Sequence, residues 1–461
     1  MKSSNVKNLD GIKKIHFIGI GGSGMFPLAK ILYSQGFEVT GSDIYESDTM
    51  EKIEKLGIKV TLNQKKENIQ NHDLVVFSAA IKESNPEIIA AKEKSIPIIE
   101  RSVLLGIIFK NYKNSVAVSG THGKTTTTSM ITSVLLDAGK EPTAVIGASL
   151  KKINGNSCTG NSDIIVGEAC EYVDSFLQLF PSISVITNVD ADHLDYFGNL
   201  ENVKKSFGKF ASQTKKLIIV NGDDDNSRDC VKDVKVKKIF FGTREDNTYS
   251  ARNVTYTKMQ QAKFDIFKGS EKISHIELTV PGKHNLYNAL AAFIVCSELE
   301  VPNEVISKSL HEFSGAHRRF EILGKINDIT VVDDFAHHPT EIKATLNAAS
   351  KMGFNRVWAV FQPHTYSRTY MLLGDFAEAL SIADKVVVSE ILPVREVNTY
   401  GIHSRDLTDK IENSVYIPDF EQITEYILKN ARPGDLVLTL GGGNVYRCAN
   451  MIKSGLEKLN S

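Results

Sequence analysis

The feature that most constrains this chain is the apolar run Ser115-Val116-Ala117-Val118 leading straight into Gly120-Thr121-His122-Gly123-Lys124-Thr125. A β-branched run, a glycine loop ending in Gly-Lys-Thr and a threonine-rich start to the next segment spell strand, phosphate loop, helix. Backbone amides of such a loop cradle phosphates, its lysine reaches the β- and γ-phosphates, and the following hydroxyl serves Mg²⁺. The candidate ATP-binding residues are therefore Gly120, Thr121, His122, Gly123, Lys124, Thr125 and Thr126. The general pattern asks for a further glycine where this chain has Val118, so the loop is a short variant.

A second glycine loop, Gly19-Ile20-Gly21-Gly22-Ser23-Gly24, follows the strand-like Ile15-His16-Phe17-Ile18 and opens the helix-like stretch Phe26 to Gln35. Its spacing is G-x-G-x-x-G, and Asp43 stands about 20 residues on, after Glu38-Val39-Thr40. Taken alone this reads as a nicotinamide-dinucleotide site. Close backbone approach to a pyrophosphate serves a UDP-sugar by the same physics. The candidate UDP-sugar-binding residues are Gly19, Gly21, Gly22, Ser23, Gly24 and Asp43. Two anion loops imply two phosphorylated ligands. A hydride-transfer enzyme has no use for a γ-phosphate lysine, and a simple ATPase switch has none for a second diphosphate.

At 461 residues the chain exceeds one hydrophobic core, which stops growing at about 250–300 residues. Three βα-rich segments are visible, and alternating strands and helices imply parallel sheets. The first holds the strands above and Leu74-Val75-Val76-Phe77. The second adds Ile164-Ile165-Val166, Ile183-Ser184-Val185-Ile186 and Leu217-Ile218-Ile219-Val220. From Lys235 to Val280 short alternating runs point to an antiparallel subsheet. The third has strands at Ile329 to Val332, Val357 to Phe361, Lys385 to Val388 and Asp435 to Leu440, with a helix from Pro339 to Ala349.

A net charge of -1 offers no global field for nucleic acid or an anionic membrane, so neither is an expected partner. The five cysteines form no Cys-x-x-Cys pair, which fits reduced thiols rather than zinc or disulfides. Met1 to Asn8 lacks an apolar signal core and no run is long enough to span a bilayer; a cytoplasmic protein is expected.

Polar groups gather where strands end. Glu168 follows Ile164-Ile165-Val166, and Thr187-Asn188-Val189-Asp190-Ala191-Asp192-His193 follows the next apolar strand, giving plausible Mg²⁺ ligands. Asp223-Asp224-Asp225 reads as a polar turn. Arg318-Arg319 lies at a segment junction, where an arginine clamp on a transferring phosphoryl group is a rival to a solvated pair. Asp333 to Pro339 and Phe361 to Arg368 are two further polar strand-to-helix turns.

Together, Gly-Ile-Gly-Gly-Ser-Gly-Met, Gly-Thr-His-Gly-Lys-Thr-Thr, Glu168-Ala169-Cys170-Glu171, Asn188-Val189-Asp190-Ala191-Asp192-His193, Gly-Lys-His-Asn-Leu-Tyr-Asn-Ala, Arg318-Arg319-Phe320-Glu321 and the 333–339 turn resemble the Mur ligases along the whole chain. The resemblance implies an α/β fold of three domains: an N-terminal Rossmann-like UDP-sugar domain (1–107), a central P-loop ATPase with a mixed sheet (108–317) and a C-terminal Rossmann-like domain (318–461). It implies ATP and Mg²⁺ as cofactors. It also implies L-alanine and UDP-N-acetylmuramate as substrates, joined by way of an acyl phosphate.

By the same resemblance Lys124 contacts phosphates, and Thr125, Glu168 and His193 serve the metal. Asn285 and Asn288 lie on the nucleotide side, Arg319 and Asp334 come from the last domain, and His337, His364 and Arg368 take the amino acid. His337 and His364 are both candidates for the base. Three positions depart from the family: Phe335 for tyrosine, Thr365 for arginine, and Asn444 for aspartate. Lys204 and Lys205 are nearby candidates for the carbamoylated lysine of some members. Monomer and homodimer both stay open, as does a sister ligase that attaches another amino acid or a peptide.

Overall fold

The computed structural model describes residues 3–394 and 396–459, which form three sheets with helices between their strands. The chain divides into two compact units. One runs to Tyr249 and includes Ala291–Ile306; the other comprises Ser250–Leu290 and the chain from Ser307 on.

In the first unit, β1 (Lys14–Ile18), β2 (Glu38–Asp43), β3 (Lys59–Leu62), β4 (Leu74–Phe77) and β5 (Ile98–Glu100) form a parallel sheet ordered β3-β2-β1-β4-β5. The chain leaves β1 for β2 on one side and later crosses to β4 on the other. The glycine loop after β1 therefore sits at the point where strand order reverses, the usual ligand crevice of such sheets.

The same unit carries β6 (Asn114–Ser119), β7 (Thr143–Leu150), β8 (Gly155–Cys158), β9 (Ile164–Glu168), β10 (Ile183–Ile186), β11 (Leu217–Asn221) and β12 (Lys237–Gly242). Their order is β12-β11-β10-β6-β9-β7-β8, parallel except for β8 against β7. β6 is buried from Ser115 to Ser119, as expected of a central strand covered on both faces. One apolar cluster runs from Ile15 and Phe17 through Leu104, Ile108 and Phe109 of the helix Arg101–Lys110 to Ala117, Ile165 and Phe207. That helix is pressed close. A Cβ on Gly167 of β9 would lie 2.9 Å from the Phe109 ring, and one on Gly106 would collide with the Gln178 carbonyl.

The second unit holds most of β13 (Tyr249–Tyr256), then β14 (Gln261–Lys268) and β15 (Glu271–Pro281), with β14 and β15 antiparallel. The antiparallel character read from Lys235 onward thus begins later than the sequence indicates. β12 pairs in parallel with β11; its alternation comes from facing solvent at Lys237, not from strand direction.

The last sheet comprises β16 (Glu321–Ile326), β17 (Ile329–Asp334), β18 (Val357–Phe361), β19 (Lys385–Val388), β20 (Ser414–Tyr416) and β21 (Leu436–Leu440), ordered β16-β17-β21-β18-β19-β20. All its pairs are parallel except β16 with β17. Along β18, Ala359 and Phe361 join one core while Trp358 and Val360 join the core on the opposite face, the two-residue period of a strand. Among the described residues no helix is long and apolar enough to cross a membrane.

Candidate active site

β6 ends in the middle of its sheet, with Val118 paired to Glu168 of β9 and Ser119 to Ile186 of β10. The loop Gly120–Gly123 rises from this rim, and the helix Lys124–Asp137 starts directly behind it. Gly120 (φ +136°) and Gly123 (φ +86°) hold conformations that L side chains avoid.

The segment after β10 clamps the loop. Thr121 N donates to Asn188 O at 3.1 Å, His122 N donates to Asn188 Oδ1 at 2.9 Å, and Thr187 Oγ1 donates to His122 O at 2.6 Å. Asp190 N donates to Thr121 Oγ1 at 2.8 Å.

Lys124 Nζ bends back to the carbonyls of Gly120 (2.5 Å) and Thr121 (3.1 Å) and pairs with Glu171 at 2.9 Å. Glu171 is buried. Burial alone would lower the lysine's pKa. The Glu171 carboxylate, with Cys170 and Glu168 nearby, outweighs it, so the ammonium stays charged above its ordinary range. Thr125 Oγ1 donates to Glu168 Oε2 at 3.1 Å, and Gly147 N donates to Glu168 Oε1 at 2.5 Å. A hydroxyl facing a carboxylate beside a phosphate loop is a hard-oxygen donor set of the kind Mg²⁺ takes. His193 caps the short helix Leu194–Phe197 at φ +53°, and its ring lies 4.7 Å from that of Tyr172.

At the other loop, Gly21 N donates to Asp43 Oδ2 at 2.9 Å and Ile44 N donates to Asp43 Oδ1 at 2.8 Å. Asp43 thus uses both carboxylate oxygens on backbone amides. Gly19 (φ +79°) makes the turn out of β1, and Asn156 Nδ2 fixes the Ser23 carbonyl at 2.9 Å.

In the second unit, Arg318 is held by three acceptors. Its Nε donates to Asp333 Oδ2 at 2.8 Å, and its two terminal nitrogens donate to the carbonyls of Gly443 and Gly441, both at 2.7 Å. It ties the start of the sheet to the glycine cluster after β21. Arg319 lies over the Phe335 ring at 5.0 Å. Asp334 is buried and accepts from Ala336 N at 2.8 Å and Phe320 N at 3.1 Å.

His337 and His364 meet with ring centroids 5.8 Å apart. Burial, then the charges of His337 and Arg368, push the His364 pKa down to about 4. Thr365 caps the helix Tyr366–Met371 that carries Arg368. Asn285 Nδ2 donates to Pro281 O at 2.7 Å and Asn288 Nδ2 donates to Asn285 Oδ1 at 2.9 Å, a buried amide pair on the helix Lys283–Glu298.

Comparison with known proteins returns three matches along the chain: the Mur ligase family catalytic domain at residues 14–113, the Mur ligase middle domain at 118–296, and the Mur ligase glutamate ligase domain at 318–443. The chain belongs to the Mur ligase family. It is 46% identical to the UDP-N-acetylmuramate–L-alanine ligase of Acetivibrio thermocellus over 98% of both chains. It is equally similar to the ligase of that name from Caldanaerobacter subterraneus, 46% over 95% of this chain and 97% of that one. Among solved structures, the UDP-N-acetylmuramate-alanine ligase of Thermotoga maritima superposes with a TM-score of 0.82 at 30% identity, covering 97% of this chain and 99% of that one.

Four residues do more in the structure than their sequence context shows. Glu171 was visible only as the end of Glu-Ala-Cys-Glu; its three-residue spacing from Glu168 was the available signal. Thr187 and Asn188 hold the phosphate loop itself rather than a ligand. Asn444, in place of aspartate, pairs its amide with Gln362, accepting from Nε2 at 2.9 Å and donating from its backbone N to Oε1 at 3.0 Å. Lys204 pairs with Asp229 at 2.6 Å and Glu201 at 2.9 Å, which keeps it a cation; carbamoylation needs the neutral amine.

Asp334 supplies a prediction. Burial, only partly offset by Arg319, pushes its pKa from 3.8 up to about 6. Ionising it therefore costs the fold. The penalty is absent below the unfolded value, builds as pH rises, and is complete above about 6, on the order of 3 kcal/mol at its limit. In Asp334→Asn the lost hydrogen bonds cost the same at every pH. The thermal midpoint of the variant relative to the parent should therefore rise between pH 4 and pH 8. A difference that stays flat over this range would rule out the raised ionisation.

Proposed function

We propose that this protein joins L-alanine to the lactyl carboxylate of UDP-N-acetylmuramate in the cytoplasm, driven by cleavage of ATP to ADP and phosphate. The observation that carries the reading is kinship at 46% identity over 98% of the chain with ligases named for that reaction. The geometry adds two anion loops at strand ends of one compact unit, one of them bearing a charged lysine on its own rim.

A carboxylate resists amines because oxide would have to leave. Its oxygen attacks the γ-phosphorus, the bond to ADP breaks, and the acyl phosphate now has phosphate as leaving group. The alanine nitrogen attacks the carbonyl carbon, phosphate departs with the C–O electron pair, and the nitrogen loses a proton. Lys124 meets the negative charge that gathers on the transferring phosphoryl group. Thr125 and Glu168 would hold Mg²⁺, with His193 as a further candidate; the ion supplies charge neutralisation on the phosphates. Arg319 and Asp334 are the candidates from the second unit, and His337, His364 and Arg368 those for alanine. A conjugate acid near 4 makes His364 a poor proton acceptor, which favours a neutral hydrogen-bonding role for it and leaves His337 the better candidate base.

Incubation with ATP, UDP-N-acetylmuramate and single amino acids tests the reading. Phosphate release should require L-alanine; release only with another amino acid or a peptide would reassign the protein to a sister ligase.

A further inference from the structure

Gly24 closes the first glycine loop, and the side chain that covers it comes from far along the sequence. A Cβ on Gly24 would lie 3.1 Å from Arg101 Cδ, 3.2 Å from Nε and 3.3 Å from Cζ. The end of the Arg101 side chain therefore lies against the loop, at a spacing where any side chain at position 24 would push it aside. Arg101 is half-buried, and among the described residues it makes no hydrogen bond or ion pair. An arginine with five fixed donors, drawn partly out of water and given no protein acceptor, is oriented for an anion that comes from outside.

The helix that bears it is anchored by close packing. Arg101 is the first residue of the helix Arg101–Lys110, whose Gly106 abuts the Gln178 carbonyl and whose Phe109 abuts Gly167, the residue before Glu168. The helix that carries Arg101 thus runs from the first glycine loop at its start to the strand bearing Glu168 at its end. Asp43 stands on the other flank of the loop, after β2, its carboxylate bound to Gly21 N and Ile44 N. A phosphate is repelled by Asp43 and attracted by Arg101; an uncharged nucleoside offers Arg101 no anion to pair with.

We propose that Arg101 binds the diphosphate of the UDP-sugar and so fixes the direction in which the sugar end runs, away from Asp43 and toward the Glu168 rim. This assignment rests on the UDP-sugar reading above. It makes Arg101 a substrate-binding and positioning residue rather than a participant at the reacting carboxylate.

The test is calorimetric binding of UDP and of uridine to the parent, Arg101→Gln and Arg101→Lys, with steady-state kinetics on each. In the Gln variant UDP affinity should fall about 10–100-fold, the range for a lost charge-assisted contact. Uridine should bind all three alike. The Lys variant, which keeps the charge but not the fork, should fall between. KM for UDP-N-acetylmuramate should rise with the UDP constant, while KM for ATP stays within about two-fold. UDP affinity unchanged in the Gln variant overturns the proposal, even if the KM for UDP-N-acetylmuramate rises, since that pattern puts the guanidinium on the carboxylate. If Gln lowers the melting temperature, the UDP-to-uridine affinity ratio of the Lys variant decides. A parent that binds UDP through Arg101 but turns over no UDP-N-acetylmuramate would sink the proposed function and leave this assignment standing.

Discussion

Lys124→Ala should bring alanine-dependent phosphate release down to background and lower the melting temperature of the first unit at the same time. The two effects have separate causes. Removing a preorganised cation from a phosphoryl-transfer site costs about 10²–10³-fold in rate. Here the loss should be larger, because the same ammonium also holds the carbonyls of Gly120 and Thr121 and thereby shapes the loop. The stability loss comes from Glu171. Its side chain is 3% exposed and its partner's is 16%, so the substitution leaves a buried carboxylate alone, a situation worth about 3–5 kcal/mol.

The two effects can be separated. Lys124→Met with Glu171→Gln removes the orphaned charge and keeps most of the volume, so the melting temperature should return toward that of the parent while activity stays at background. Recovery of both together would show that Lys124 matters only as a strut. Full activity in Lys124→Ala would sink the assignment of this loop to ATP.

What was legible in the sequence is what is covalently local. The strand at Ser115, the loop and the helix start at Lys124 lie within one run of residues, and they stand where the run places them. The glycine loop after β1 was legible for the same reason. Partner choice was not. Lys124 and Glu171 are 47 residues apart, and Glu-Ala-Cys-Glu offers two carboxylates without saying that the first meets Thr125 and the second Lys124. Arg318 and Arg319 are neighbours with the same chemistry. Only packing reveals that Arg318 is occupied by Asp333 and two glycine carbonyls. Strand direction was hidden too. β12 and the β14–β15 hairpin share an alternating pattern, since alternation reports a half-exposed face and not whether the neighbour runs parallel. β16 escaped notice because a register shift at Ile322–Gly324 interrupts its period.

Gly120→Ala is the smallest change with a comparably large expected effect, because it fails on two independent grounds. The residue sits at φ +136°, where an L side chain costs on the order of 1–3 kcal/mol. A methyl there would also fall on the Thr187 hydroxyl, the group that donates to His122 O and ties the loop to β10. The loop must therefore move, and a displacement near 1 Å at a phosphoryl-transfer site costs about 10²-fold. Both KM for ATP and kcat should worsen, whereas UDP binding at the other loop should not change. Adding Thr187→Ala separates the grounds. It opens the space for the methyl but leaves the backbone angle and removes one clamp, so the double variant should regain only part of the ATP affinity. Complete recovery would show that the clash alone had mattered, and that the left-handed turn at Gly120 is one alanine can adopt.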